Sequence, residues 1–582
     1  MVRKKHHSDS SKSKRPATGR QKKRILLFSL TNCTIAPVLE RILPDMGCEL
    51  TNVVAQEIEG GGLELISHRS WESIIAEMIR LKHDAVILIN SKGIDDGELW
   101  LAVAETFRIP VFNWFTDHPR FCPWRPVEIQ SDALHVVLWD AGYTEELIAL
   151  GYRHVHPLPL AADSRIADSL ADEPLDPPCD VAFVGSLSDH RIRALREELM
   201  ARLEKAKHPD ADEANRLIEK GRQWTREHRG RSIFQYADSI DPESLPEDEF
   251  DKREAVRLIA AIIDFENMRD DRLELASALR DKGLQVWGDA AWKDQIPSEQ
   301  FRGFVSYQDV GRIYHDARII VNLSRGQLLT AVNQRVYDAP MCGGFLITDR
   351  RPGLADILEP GVDMAVYDDV RELPGLIDEY LANESLRREM SARAKRRIMD
   401  AHLYEHRVQT LFQWIEEAHQ ENRSTKALPL APEWQQRLAR VAPALVAEGH
   451  IDEAQQLANA LSRRGDMTPY GEVVLAVSDL FGARKDVEKA YKRLKRAHES
   501  GVAESRPYYA LTLANLKQFD EVVHVIGQTP EDERLALEWR LLGHSWRCRN
   551  QPRQALQAYD RALMLEPNNK EILAAIELLQ NS

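Results

Sequence analysis

Three shortages bound what this chain of 582 residues can be. Cysteine is sparse: Cys33, Cys48, Cys122, Cys179, Cys342 and Cys548 stand apart, with no C-x-x-C pair and no histidine cluster at metal spacing. That argues against a disulfide framework or a structural zinc and leaves the thiols as small core residues. Positive charge is in deficit, with a formal net charge of -15. A general nucleic-acid binder needs a basic field, so that class is set aside. Long apolar runs are missing too. No stretch approaches the roughly 18 to 20 consecutive apolar residues of a membrane span, and the basic N-terminus has no apolar segment behind it. The expectation is a cytoplasmic protein with no membrane span.

What is present is enough apolar residue, 43%, for real cores, and a length that at about 150 residues per domain predicts three or four domains. Residues 1–23 are basic, Ser-rich and without periodicity, and read as a disordered tail. From residue 24 continuous apolar runs ("RILLFSL", "HDAVILIN", "IPVFNWF", "LHVVLWD") alternate with helical patterns. This is the signature of a parallel sheet covered on both faces, a Rossmann-like α/β domain over 24–165. A Pro-rich connector, "DEPLDPP", precedes a second start, "DVAFVGSLSDHRIRALREEL". A second Rossmann-like domain is expected over 176–418, with a helical insertion near 206–280. Two doubly wound domains in tandem leave a cleft facing the carboxyl ends of both sheets.

After a linker placed at 419–434, every segment of 435–582 reads as helix. Trp539, Leu542, Gly543, Trp546, Ala555, Tyr559, Ala562 and Pro567 fall at tetratricopeptide spacing. In that pattern small Gly543 and Ala555 let two helices approach while the aromatics fill the space between them. The fold class expected is therefore α/β, two Rossmann-like domains, followed by an all-α tetratricopeptide-like domain.

The chemistry concentrates in "VNLSRGQLLTAVNQRVYDAPMCGGFLITD", residues 321–349. A loop after a buried strand is where an open parallel sheet binds ligands, and its N–H groups favour anions. Ser324 and Arg325 lie on that loop. A guanidinium binds phosphate oxygens in bidentate fashion, so a diphosphate fits Arg325. Asp338 offers a carboxylate for paired hydroxyls such as those of a ribose, and Gly343 and Gly344 let backbone pass close to a ligand. Arg335 and Asp338 at i, i+3 also permit a plain helix salt bridge.

The run "RVYDAPMCGGFLITD", with "GLADILEPGVDMAVYDDVRELPGLIDEY" after it, resembles the C-terminal domain of GT-B glycosyltransferases, in particular the spore-maturation-protein (CgeB-like) branch. "NWFTDHP" is similar to the Trp-x-x-Asp-x-Pro element of the partner domain in that branch, and with "DVAFVGS" the resemblance spans about residues 24–418. It implies that Asp338 stands at the second acidic position of a Glu-x7-Glu motif that holds the nucleotide ribose, with Thr330 at the first. It places Gly185 and Ser186 by the phosphates, Arg325 against their charge, and Asp117 and His118 in the cleft from the other domain. Asp replaces Glu at 338, Thr330 brings no carboxylate, and Pro340 sits where the helix should continue.

The implied activity is transfer of a sugar from a nucleotide-sugar donor. Asp117 and His118 are the candidate catalytic pair, and Ser324, Arg325, Thr330, Arg335, Asp338, Gly185, Ser186, Gly343 and Gly344 the donor site. No metal and no cofactor are expected, because GT-B enzymes usually need none and no Asp-x-Asp occurs in the cleft segments. Trp114, Phe115, Phe121 and Trp124 offer either a sugar-stacking wall or packed core. The helical arm suits an extended polypeptide, so the expected partner is a protein acceptor, such as a bacterial surface or flagellar subunit. Competing readings are a non-catalytic scaffold with a vestigial nucleotide-sugar module, and a GT-B-fold sugar-nucleotide epimerase.

Overall fold

A computed structural model describes residues 22–580 apart from 32, 34, 58–62, 67–69, 91–98, 123–130, 169–174, 176–177, 206–210, 426–428 and 466. Almost all of the expected basic tail, most of the Pro-rich connector and Trp124 lie outside the described residues.

The first apolar runs form β1 (Arg24–Leu30), β2 (Glu49–Glu57), β3 (Leu63–Leu65), β4 (Ala85–Ile89), β5 (Val111–Phe115), β6 (Leu134–Leu138) and β7 (His154–Pro157). They make one sheet in the order β3-β2-β1-β4-β5-β6-β7. All neighbours are parallel except β3, which pairs antiparallel with β2. Every residue of β4, β5 and β6 is buried, which is why these strands lack polar alternation. The second sheet contains β8 (Val181–Val184), β9 (Leu284–Trp287), β10 (Phe301–Gly303), β11 (Ile319–Asn322), β12 (Leu346–Asp349) and β13 (Ala365–Tyr367). Its order is β10-β9-β8-β11-β12-β13, parallel throughout. In each sheet the strand order reverses once, between β1 and β4 and between β8 and β11, and such switch points open a crevice at the carboxyl ends.

These are two Rossmann-like domains in tandem. One apolar cluster joins the domains, with Phe115, Leu138, Trp139 and Tyr143 of the first packed with Ile320, Leu328, Val332 and Tyr337 of the second. The helices Asp189–Lys205, Ala211–Glu227, Ile233–Ala237 and Glu249–Ala278 gather a separate core beside the second sheet.

The closing helix Tyr404–Ser424 crosses back to the first domain. Its stripe of Tyr404, Val408, Leu411 and Ile415 is buried against Ile25, Leu27, Phe112 and Trp114. Residues 419–424, expected in a linker, therefore continue this helix, because the apolar stripe carries it along the sheet. Helices Pro432–Ala447 and Ile451–Arg463 then pack on Trp71–Leu81 and Leu99–Phe107 in a single cluster that holds Trp434, Leu438, Leu457, Ile75 and Trp100. Among the described residues the remainder of the arm is helices as far as Gln580. In its last hairpin a Cβ at Gly543 would come within 2.6 Å of the Tyr559 ring, so that close helix approach needs glycine.

Candidate active site

The carboxyl ends of both sheets flank a cleft of about 480 Å³. Cys33, Thr116, Asp117 and Trp139 line it from the first domain. The second contributes Val184, Arg272, Tyr307, Arg325, Gln327, Asn333, Gln334, Arg335 and Asp338, among others. Arg325, Arg335, Asp338 and Asp117 thus share one opening, although they come from two domains.

Arg325 follows β11. Its Nη2 lies 2.5 Å from Oδ2 of buried Asp264, its Nη1 is 4.0 Å from Asp117 Oδ1, and its guanidinium sits 4.5 Å over the Phe265 ring. Arg335 opens the short helix Arg335–Met341 and turns away from Asp338. It donates through Nη1 to Asn322 Oδ1 at 2.5 Å and through Nη2 to the Val184 carbonyl, so the i, i+3 salt bridge does not form. Arg272, near the end of Glu249–Ala278, donates to the Ser186 carbonyl. Arg272 and Arg335 share the face of Phe183, at 5.9 and 5.6 Å from the ring centroid.

The Nε atoms of Arg272, Arg325 and Arg335 are all buried with no protein partner. Burial, then the charges of Arg335 and Arg325, pulls the Arg272 guanidinium down to about 9, against the weaker opposing pull of Asp289 and Asp264. Mutually repelling cations with idle donors, gathered in a cleft, make a site for an anion bearing several oxygens.

Asp338 lines the same cleft and is 1% exposed. Gln334 Nε2 donates to its Oδ1 at 2.8 Å, and Tyr307 hydrogen-bonds it as well. Burial raises its carboxyl to about 8, the two hydrogen bonds opposing. The expected anionic acceptor is therefore mostly a neutral acid near pH 7, able to donate as well as accept.

Several expected site residues have other roles. His118 is buried outside the cleft, its ring 4.1 Å from Tyr143 and 4.7 Å from Phe234. Its Nδ1 accepts from the Arg120 N–H at 3.1 Å, its Nε2 is 3.5 Å from Glu146 Oε1, and burial lowers its pKa. It caps the turn that Pro119 starts and does not face substrate. Ser324 gives its N–H and hydroxyl to Asp349 Oδ1, at 2.9 and 3.0 Å. Thr330 is engaged by Asp140 of the first domain, whose carboxylate accepts from the Thr330 hydroxyl at 2.5 Å, the Thr330 N–H at 3.1 Å and the Leu329 N–H at 2.7 Å. Those loop N–H groups are thereby taken from any anion.

Gly343 and Gly344 end the helix behind the cleft. Gly343 has φ +86°, and a Cβ at Gly344 would meet the Tyr314 carbonyl at 2.3 Å, so they serve chain reversal and packing. Pro340 falls in the last turn, where the helix stops anyway. Gly185 lies beside Arg272, since a Cβ there would come within 3.2 Å of its guanidinium carbon. Ser186 contributes its carbonyl to the same arginine. Trp114 and Phe115 are fully buried core.

The residues missed from sequence are Arg272, Asp264, Gln327 and Tyr307. Arg272 and Asp264 lie on a helix read as an insertion, and no local pattern marks them as facing a cleft. Tyr307 sits in a loop after a three-residue strand too short to show periodicity.

Comparison with known proteins gives similarities over parts of the chain. The search of curated proteins gave no match. Among solved structures, a glycosyltransferase from Rickettsia africae is similar at 12% identity and a TM-score of 0.36, over 69% of this chain and 99% of that one. T4 phage BGT in complex with UDP-glucose is similar at 11% identity and 0.37, over 67% and 99%. Anabaena Alr3699/HepE with UDP-glucose is similar at 12% and 0.33, over 68% and 99%. Likeness at this level says nothing of donor or acceptor. Residues 269–413 match a family model described as "Glycosyl transferase-like". That stretch, about a quarter of the chain, holds Arg272, Arg325, Arg335 and Asp338.

Proposed function

We propose that the chain is a glycosyltransferase that takes a nucleotide sugar into the interdomain cleft and passes the sugar to an acceptor oxygen. The observation that carries this reading is the convergence of Arg272, Arg325 and Arg335 with buried, unpartnered Nε atoms at the β8/β11 switch point. Ribose-type hydroxyls meet Asp338 and Tyr307 deeper in the cleft, and Asp117 faces the ligand from the first domain.

In transfer, the bond between the anomeric carbon and the β-phosphate oxygen breaks, and its electron pair leaves with the diphosphate. The acceptor oxygen forms the new bond and gives up its proton, for which Asp117 is the nearest carboxylate on the acceptor side. Charge growing on the leaving diphosphate meets fixed guanidinium groups, which need no reorganisation at that moment. Those charges supply what a metal would otherwise supply, and we read the transfer as metal-independent and of hexosyl type.

The finer assignment follows the resemblance: a CgeB-like enzyme, cytoplasmic, with a tetratricopeptide-like arm that recruits a protein acceptor such as a surface or flagellar subunit. What supports the arm's role is its hairpin series and the tight Gly543–Tyr559 approach.

A thermal-shift screen of nucleotide sugars tests the reading, because a ligand that binds only the folded state raises Tm. At least one is expected to stabilise the protein and to be slowly hydrolysed. Arg325→Ala should weaken nucleoside diphosphate binding about tenfold or more, at ~1.4 kcal/mol per decade. No stabilisation by any nucleotide sugar, or full affinity in Arg325→Ala, rejects the assignment. Interconversion of sugars without an acceptor would identify an epimerase.

A further inference from the structure

The Asp117 carboxylate is held from both sides of the cleft. Asn90, at the end of β4 with φ 52°, donates Nδ2 to Oδ2 at 3.2 Å and receives the Thr116 N–H on its Oδ1 at 2.7 Å. Gln327 reaches across from the second domain and donates Nε2 to Asp117 Oδ1 at 3.1 Å, while its own Oε1 accepts from the His118 N–H at 3.3 Å. Arg325, two residues before Gln327, has its Nη1 4.0 Å from the same Oδ1. The Asp117 side chain is 43% exposed, so it faces the cleft while held there.

One guanidinium is therefore shared. The proposed anion site uses Arg325, and the carboxylate opposite pairs with it at 4.0 Å. Asp264 stays on Arg325 at 2.5 Å from behind. A diphosphate that enters competes with Asp117 alone for the cleft side of the guanidinium, and its charge repels that carboxylate.

We propose that Asp117 is gated by the donor: Arg325 pairs with its Oδ1 across 4.0 Å, and a bound diphosphate, by taking that guanidinium, releases the carboxylate to the acceptor hydroxyl. The gate rests on the reading of the cleft as a nucleotide-sugar site. Asn90 and Gln327 keep the carboxylate in place through the exchange. As the acceptor oxygen bonds to the anomeric carbon, its proton passes to Asp117, and the electron pair of the broken bond leaves on the diphosphate.

The gate predicts that donor binding works against Asp117. Unit charges about 4 Å apart in a water-like medium imply that Asp117→Asn binds a nucleoside diphosphate about fivefold more tightly than wild type. Calorimetric titration of the full chain with UDP, ADP and GDP measures this without any acceptor. The gain should shrink at high salt and vanish when Asp117→Asn is combined with Arg325→Ala. Asn keeps the size but only one of the two accepted hydrogen bonds, since its amide nitrogen cannot accept from Asn90 or Gln327, and matched unfolding temperatures confirm an intact fold. Affinity in Asp117→Asn that is unchanged or weaker, while Arg325→Ala still loses binding, overturns the gate and leaves the nucleotide site standing. No binding of any of these diphosphates to wild type or variant overturns the nucleotide reading and the gate with it.

Discussion

At the scale of single residues, the cleft is built from side chains held in unfavourable states. Arg272 is buried and carries its charge beside Arg335 and Arg325, and burial first, then those charges, loosens its proton. Asp338 is the mirror case, a carboxyl kept neutral by burial, with its folded pKa of about 8 well above the usual carboxylate range. The native state therefore binds the Asp338 proton more tightly than the unfolded chain does. The stability tied to that proton is complete below about pH 4 and is lost as pH rises through 8. Asn can keep the Gln334 and Tyr307 hydrogen bonds without the charge. The Tm difference between Asp338→Asn and wild type, in the absence of ligand, should thus move in favour of the variant by several degrees from pH 5 to pH 9. At about 2–4 °C per kcal/mol for a domain of this size, scanning calorimetry resolves it, and a constant difference would rule out a neutral buried acid. From sequence, the identity and spacing of Asp338 were legible but its protonation was not, because desolvation is a property of the surroundings.

At the scale of elements, the loop between β11 and Arg335–Met341 belongs to one domain by sequence and is fastened to the other. Asp140 accepts from the Leu329 and Thr330 backbone N–H groups, the Thr330 hydroxyl and the Gly142 N–H, and the Tyr143 hydroxyl donates to the Gln327 carbonyl. Removing the carboxylate strands buried donors at about 1–3 kcal/mol each. Asp140→Ala should therefore cost about 3 kcal/mol or more of stability and weaken diphosphate binding as well, since Arg325 and Gln327 ride on the same loop. Denaturant titration paired with calorimetry checks both; loss of stability with binding intact would show that the loop holds its shape unaided. Buried strands such as β4 and β11 were readable from apolar runs alone. Ser324, Thr330 and His118 were misplaced because a polar residue beside a cleft has the same sequence signal whether it faces ligand or turns back to cap a backbone.

At the scale of the whole molecule, the helical arm is fused into the first domain's packing. Trp434, Leu438 and Leu457 share one buried cluster with Ile75, Met78 and Trp100, and Arg464 reaches Glu105 at 3.7 Å. Fully burying each such apolar side chain contributes about 1.5–3 kcal/mol. Deleting 435–582 should lower Tm and increase binding of a hydrophobic dye rather than release an intact catalytic half. A deletion variant with unchanged Tm and no dye binding would make the arm a separable module. The same packing explains why the arm extends the helical layer of the first domain.

By itself the sequence determined the tandem α/β domains, the helical arm and a basic loop after a buried strand, since periodicity, turn residues and apolar runs are local properties of the chain. Only the tertiary structure decided which charges meet. Arg272 joins Arg325 and Arg335, Asp140 takes Thr330, and Asp117 faces Arg325 across two domains, because these contacts span from tens of residues to more than two hundred and depend on where sheets, insertion and closing helix pack.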